Sequence, residues 1–177
     1  MIFIKNDKVS LRVAEPYDAE KIYRWENDMQ VWRDSETRVP YSMRQIEQFL
    51  LNNNDLTTEK QLRLMIESTE IGTEIGCIDI YDYDVFNERA GFGILIDEKY
   101  RQQGYAKQAI KLLLDYCFNT LILNQIYILT LATNVESTNL FESLGFVKCG
   151  HRKQWYKTSE GFIDQIEYQY INKKQHA

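Results

Sequence analysis

The chain has 177 residues, 44% of them apolar and 27% charged, with a formal net charge of −5. That length suits one domain with a sizeable core, the composition is that of a globular protein, and the acidic balance argues against nucleic acid as a partner. No apolar run approaches a membrane span and the N-terminus lacks the basic-then-apolar build of a signal peptide, so no membrane partner and a cytoplasmic location are expected.

The three cysteines, Cys77, Cys117 and Cys149, form no CxxC pair, and each sits in an apolar context, which predicts buried reduced thiols. Two histidines, His151 and His176, without zinc-type cysteine spacing, predict no metal site. With two prolines and eight glycines and no repeat, no linker divides the chain. Residues 1–171 read as a single domain and 172–177 as a C-terminal tail that includes His176.

Val9 to Val13 alternates as a first strand. Glu15-Pro16 opens a helix with apolar positions at Ala19, Ile22, Tyr23 and Trp25. Asn27 to Arg38 is polar but carries Met29, Val31 and Trp32, and reads as a structured loop or short helix. Ser42-Met43-Arg44-Gln45 spells a capping box for a second helix, whose stripe is Ile46, Phe49 and Leu50. Gln61 to Glu67 and Ile75 to Tyr81 read as antiparallel strands about a turn at Gly72, and Asn87 to Arg89 turns the chain into the next strand.

Phe92 to Ile96 is continuously apolar, as a buried strand should be. Charged residues follow, and then Arg101-Gln102-Gln103-Gly104-Tyr105-Ala106 opens a helix with apolar positions at Ala106, Ala109, Ile110, Leu113, Cys117 and Phe118. A strand, a loop bending at glycine and a helix N-terminus make an anion site, because unpaired N–H groups converge there and the helix dipole adds positive potential. Gln125 to Ala132 is β-rich, and Val135 to Leu144 is a helix closed by Gly145. Phe146 to Tyr156 and Phe162 to Ile171 flank Ser159-Glu160-Gly161 as a hairpin.

The run Arg101-x-x-Gly104-x-Ala106 after such a strand resembles the pyrophosphate loop of the GNAT superfamily, the acetyl-CoA-dependent N-acetyltransferases. Asn134-Val135-Glu136-Ser137 and Leu144-Gly145-Phe146 stand at the distance the family uses for its next strand and helix. The likeness runs from Ser10 to Tyr170 and is strongest to the branch of polyamine and ribosomal-protein N-terminal acetyltransferases. It implies a mixed α/β fold: a central, largely antiparallel sheet of about seven strands, helices on both faces, and a V-shaped splay between the two central strands. Acetyl-CoA would be the co-substrate. Its pantetheine arm would lie along Ile94, Leu95 and Ile96, and its pyrophosphate on Gln102, Gln103, Gly104, Tyr105 and Ala106. Arg101 and Lys107 would add charge for the phosphates, with Lys111 more simply a solvated surface residue. Asn134 would hydrogen-bond the cofactor or cap its helix, and Phe141 would pack against the arm.

A primary amine attacks a thioester only when neutral, and protonation at pH 7 opposes this by about 4–5 kcal/mol for a pKa of ~10.4. The family needs a proton acceptor, and two of its usual groups are missing. Phe141 stands where many relatives carry a tyrosine as general acid, and Gly91 where polyamine acetyltransferases carry a glutamate. Ser137 resembles a serine that relays a proton in the ribosomal-protein branch, though a polar residue of a helix's first turn explains it equally well. Asp79 and Asp82 fall where polyamine acetyltransferases have glutamates. A carboxylate between Ile78 and Ile80 must be paired, solvated in a cleft, or functional, which makes Asp79 the catalytic candidate. Trp25, Glu26, Asp28, Trp32 and Tyr81, with Asp82, are candidates for an acidic and aromatic acceptor pocket, although the buried face of its helix explains Trp25 more simply and a solvated place near a strand end explains Asp82 equally well.

These residues predict an N-acetyltransferase acting on a small amine, such as spermidine or another polyamine or diamine. Acetylation of a protein N-terminus or an aminoglycoside, and non-catalytic binding of acetyl-CoA, remain as alternatives. The acceptor and the proton route are left open, and so is a homo-oligomer.

Overall fold

The computed structural model describes residues 3–34, 37–52 and 54–173, so His176 lies outside the described residues. The strands are β1 (Ile4–Lys5), β2 (Val9–Val13), β3 (Leu62–Ser68), β4 (Thr73–Asp84), β5 (Arg89–Ile96), β6 (Gln125–Leu131), β7 (Val147–Thr158) and β8 (Gly161–Ile171). The helices are α1 (Ala19–Glu26), α2 (Met29–Asp34), α3 (Met43–Asn52), α4 (Tyr105–Asn119) and α5 (Val135–Ser143). Among the described residues one sheet contains eight strands, in the order β1-β2-β3-β4-β5-β6-β8-β7. Every pairing is antiparallel except that of β5 with β6.

Alternation along the strands sends side chains to two faces. On one face Leu64, Ile66, Ile78, Ile80, Phe92, Ile126 and Ile128 pack with Ile110, Leu113 and Cys117 of α4 and Phe141 of α5. On the other, Met65 and Cys77 pack under Ile22 and Trp25 of α1 and Ile46 and Leu50 of α3. Helices thus cover both faces, as expected. The capping box at α3 forms as spelled: the Ser42 amide donates to Gln45 Oε1 at 2.8 Å, and the Gln45 amide donates to Ser42 Oγ at 3.2 Å. Beside α1, buried Arg12 makes a bidentate pair with Asp18 at 2.7 and 2.8 Å and reaches Glu67 and Glu74, which ties the start of the first helical segment to β2, β3 and β4.

Two features differ from the sequence expectation, and one open reading is decided. The two-residue edge strand β1 brings the sheet to eight strands, and two residues are too few to show a period. The stretch around Val31 settles as the helix α2. Cys77 and Cys117 are buried, but Cys149 is exposed, because it sits on the edge strand β7 at the register shift between Lys148 and Gly150. Burial pushes the Cys117 thiol up to about 12 and the Cys77 thiol higher still, so neither is a ready nucleophile.

Candidate active site

Strands β5 and β6 are in register only at Arg89–Gln125, Ala90–Ile126 and Gly91–Tyr127. Beyond that level both continue, to Ile96 and Leu131, without pairing to each other, so the facing backbone edges are left without a strand partner. The expected V is there, and a cavity of about 750 Å³ opens in it. Gly93, Ile94, Leu95 and Ile96 line one side, and Ile128, Leu129 and Thr130 the other. Arg101, Gln102 and Gly104 with the first turn of α4 close one end, and Asn134, Ser137 and Phe141 with the rest of α5 form the wall beside β6.

At the closed end the loop is shaped for an anion. Gly104 has φ +81°, and among the described residues the atom nearest a would-be Cβ there is Lys8 Nζ at 3.8 Å, so a ligand can approach the backbone closely. The first amide to bond within the helix is that of Gln108, to the Gly104 carbonyl at 3.3 Å, which leaves the amides of Tyr105, Ala106 and Lys107 free to donate. Gln102 adopts φ +59°, uncommon for a residue with a Cβ, and its side-chain amide donates to Glu136 Oε1 at 3.0 Å across the mouth. Arg101 donates from Nε to the Ile96 carbonyl at 3.0 Å, which fixes its guanidinium beside the end of β5. This donor set suits a diphosphate on a long, flexible arm.

The cofactor candidates are brought together here except Gln103, and Lys111 is the surface residue expected of it, exposed on α4. Gln103 is exposed outside the wall and donates to the Lys99 carbonyl at 3.1 Å. Asn134 is the N-cap of α5, its Oδ1 accepting from the Ser137 amide at 3.1 Å, which leaves Nδ2 to donate into the cavity. Phe141 is only 2% exposed and meets Phe92 edge-on with ring centroids 6.0 Å apart, so it is both cavity wall and core.

The acceptor candidates lie on the face covered by α1 and α3 and do not share one cavity. Asp79 is held by Arg63, Nε to Oδ1 at 2.7 Å and Nη2 to Oδ2 at 2.8 Å, and Glu26 takes the same guanidinium at 2.6 Å. Burial works against the Arg63 charge, but Asp79 and Glu26 hold its pKa well above the ordinary value. Tyr81 lies over Gly91 and meets Tyr127 edge-on at 6.0 Å. Tyr127 donates to Asp82 at 2.9 Å, and burial together with that partner pushes its hydroxyl up to about 12. Trp25 turns away, donating to Asp97 at 2.9 Å, and with Asp28 lines a second cavity of about 450 Å³ next to the first. Trp32 donates to the Glu26 carbonyl at 2.6 Å. The single acidic and aromatic pocket expected from the sequence is therefore divided between two places.

Sequence reasoning missed Lys8, Val31, Arg63 and Tyr127. The period-2 pattern of β3 puts Arg63 on the face of Met65, which was a usable signal once β3 and β4 were paired. Lys8 reaches the loop only through tertiary packing, and nothing local marks it.

A model of the acetyltransferase (GNAT) domain family matches residues 8–147. The spermidine N(1)-acetyltransferase of Vibrio cholerae serotype O1 is 28% identical over 150 residues, which are 82% of this chain and 83% of that protein. Among solved structures, spermidine N-acetyltransferase from Vibrio cholerae in complex with CoA and spermine superposes with a TM-score of 0.85 at 24% identity, covering 97% of this chain and 100% of that one. The ribosomal-protein-S5-alanine acetyltransferase from Vibrio fischeri gives 0.83 at 20% identity, over 98% and 97%.

Proposed function

The chain belongs to the GNAT acetyltransferase family, an acetyl-CoA-dependent group of enzymes, and on that premise we propose that its acceptor is a primary amine of a small polyamine or diamine such as spermidine, acetylated by direct attack in a ternary complex. The observation that carries this reading is the charge on the acceptor face. Glu26, Asp79 and Asp82 stand on or beside the strands flanking Gly91 and Gly93, with Arg63 as the cation paired among them. A face of that balance attracts a polycation through the local field. The activity toward spermidine in the name of the Vibrio cholerae relative points the same way.

In this reading residues 1–171 act as one domain. The amides at the start of α4 hold the diphosphate, with Arg101, Lys107 and Lys8 adding charge. Free backbone donors of β5 beyond Gly91 stabilise the negative charge that develops on the thioester oxygen. Asp79 lies opposite Gly93 in the register and takes the proton from the ammonium, directly or through water. Each of its oxygens keeps a lone pair beyond the one Arg63 occupies. Ser137 stands in the cavity wall and relays a proton toward the departing sulfur. A thiol with a pKa of about 8.5 also leaves readily as thiolate, which makes a phenylalanine at 141 tolerable. Trp25 and Asp28 belong to the approach through the smaller cavity, while Glu26, Tyr81 and Asp82 border the acceptor.

Initial rates of thiol release from acetyl-CoA with spermidine, spermine and putrescine test the reading. A saturable rate well above hydrolysis is expected for at least one of them. Release no faster than hydrolysis with all three rules out the polyamine acceptor, and tight CoA binding without turnover of any amine identifies a non-catalytic protein.

A further inference from the structure

Gly91 and Gly93 leave two adjacent positions of β5 without side chains on the acceptor face, and they differ. A Cβ at Gly91 would stand 2.2 Å from Tyr81 Cε2 and 2.7 Å from Cζ, so that place is filled by the Tyr81 ring. A Cβ at Gly93 would meet a single atom within 4 Å, Tyr81 Cε1 at 3.9 Å, so that place is open. Tyr81, Gly91 and Tyr127 share one level across β4, β5 and β6, which is the last level before the V opens. The ring is braced there: Tyr127 stands edge-on to it and is tied to Asp82, which occupies the left-handed region with φ +50° at the register shift of β4. The open place over Gly93 is thus bounded by Tyr81 toward the vertex, Leu95 two residues on, and Asp79 directly opposite on β4. Its fourth side gives on to the cavity, which Gly93 itself lines.

We propose that this notch over Gly93, with Tyr81 as its fixed end wall, makes the enzyme selective for amines borne on an unbranched CH₂ carbon. The notch is one side chain long: same-face neighbours on a strand are about 6.7 Å apart, and a carbon at the Cβ position already touches Tyr81. An alkylammonium carbon fits with its nitrogen toward Asp79 and the splay. A carbon that also bears a methyl or carbonyl substituent, as at a peptide N-terminus, drives that substituent into the ring. The inference rests on the polyamine reading and sharpens it, because it separates a terminal amine of a polyamine from an amino-acid amine by shape rather than by charge.

The test compares kcat/KM for 1,4-diaminobutane with that for 2,5-diaminohexane, which has the same spacing and charge but a methyl on each amine-bearing carbon. The wild type is expected to prefer the unbranched diamine by about tenfold or more, the usual worth of one misplaced methyl in a shaped pocket. Tyr81→Ala is expected to bring the ratio close to one. Gly93→Ala, whose methyl makes only an ordinary contact and should fold, is expected to raise KM for 1,4-diaminobutane by a larger factor than it weakens CoA binding. Equal efficiency with both diamines in the wild type, or a ratio that Tyr81→Ala leaves unchanged, overturns the selectivity and leaves acetyl transfer standing. A wild type that acetylates spermidine or spermine but neither diamine overturns the inference alone, and one that binds CoA and acetylates none of these amines overturns the functional reading and the inference with it.

Discussion

Asp79 shows how one residue can be legible in the sequence while its surroundings are not. A carboxylate between Ile78 and Ile80 on a strand needs a reason, and that much is visible locally. Its partner comes from Arg63 on a neighbouring strand, and Glu26 joins from α1, so the cluster exists only once β3, β4 and α1 are assembled. The pairing also fixes where the carboxylate points. Asp79→Asn keeps the shape, removes the charge and leaves Arg63 to Glu26. The expected outcome is a fall in kcat of about 10²–10⁴-fold, the range for loss of a general base. CoA affinity measured on the same preparation should not change, and a kcat equal to wild type would remove Asp79 from the chemistry. Trp25 teaches the converse: of its two readings, helix-face core and cation–π wall, the structure takes the first, its ring packing in the core and its indole N–H donating to Asp97.

At the scale of elements, the signals that could be read were those with strong local chemistry: the capping box of α3, the glycine that opens α4, and the asparagine that starts α5. Strand β1 was too short to read, and the cap that starts α2, Asp28 accepting from the Gln30 amide at 2.8 Å, is one residue in a polar stretch that reads as loop or short helix. The N-cap role of Asn134 and its place in the cavity wall lead to a two-part expectation. Asn134→Ala should destabilise the fold by about 1 kcal/mol through loss of the cap, read as a lower denaturant midpoint. It should also weaken CoA binding, because the side chain no longer donates into the cavity. Stability loss with unchanged CoA affinity would assign the residue to the helix alone. Ser137→Ala isolates the relay, since its amide bond to Asn134 is kept. The expected result is a lower kcat with KM for both substrates preserved.

The whole molecule divides its charge between two tasks. Around Arg12, the carboxylates of Asp18, Glu67 and Glu74 hold three strands and the first helical turn together. The hydrogen bond from Lys21 holds the Glu74 carboxyl down at about 2, below its ordinary 4.5, so the unfolded chain takes up that proton before the folded one does. The stabilisation is therefore complete above about pH 4.5 and is lost as the pH falls toward about 2. Thermal midpoints recorded across that range should fall less steeply for Glu74→Gln than for the wild type. The second task belongs to the splay, where β5 and β6 part after Gly91 and the sheet exposes unpaired backbone to a ligand instead of to another strand. No residue-level pattern encodes that parting. It follows from the pairing of β6 with β8 on one side and of β5 with β4 on the other.

The most direct measurement is calorimetric titration of CoA into the wild type and into Gly104→Glu, with thermal unfolding of both proteins as a control for folding. A glutamate at φ +81° places a strained backbone and a negative charge where the diphosphate should sit. Saturable binding at one site per chain in the wild type, with a large loss in the folded variant, is the predicted result. No uptake by the wild type, or equal affinity in both, would contradict the account at its root.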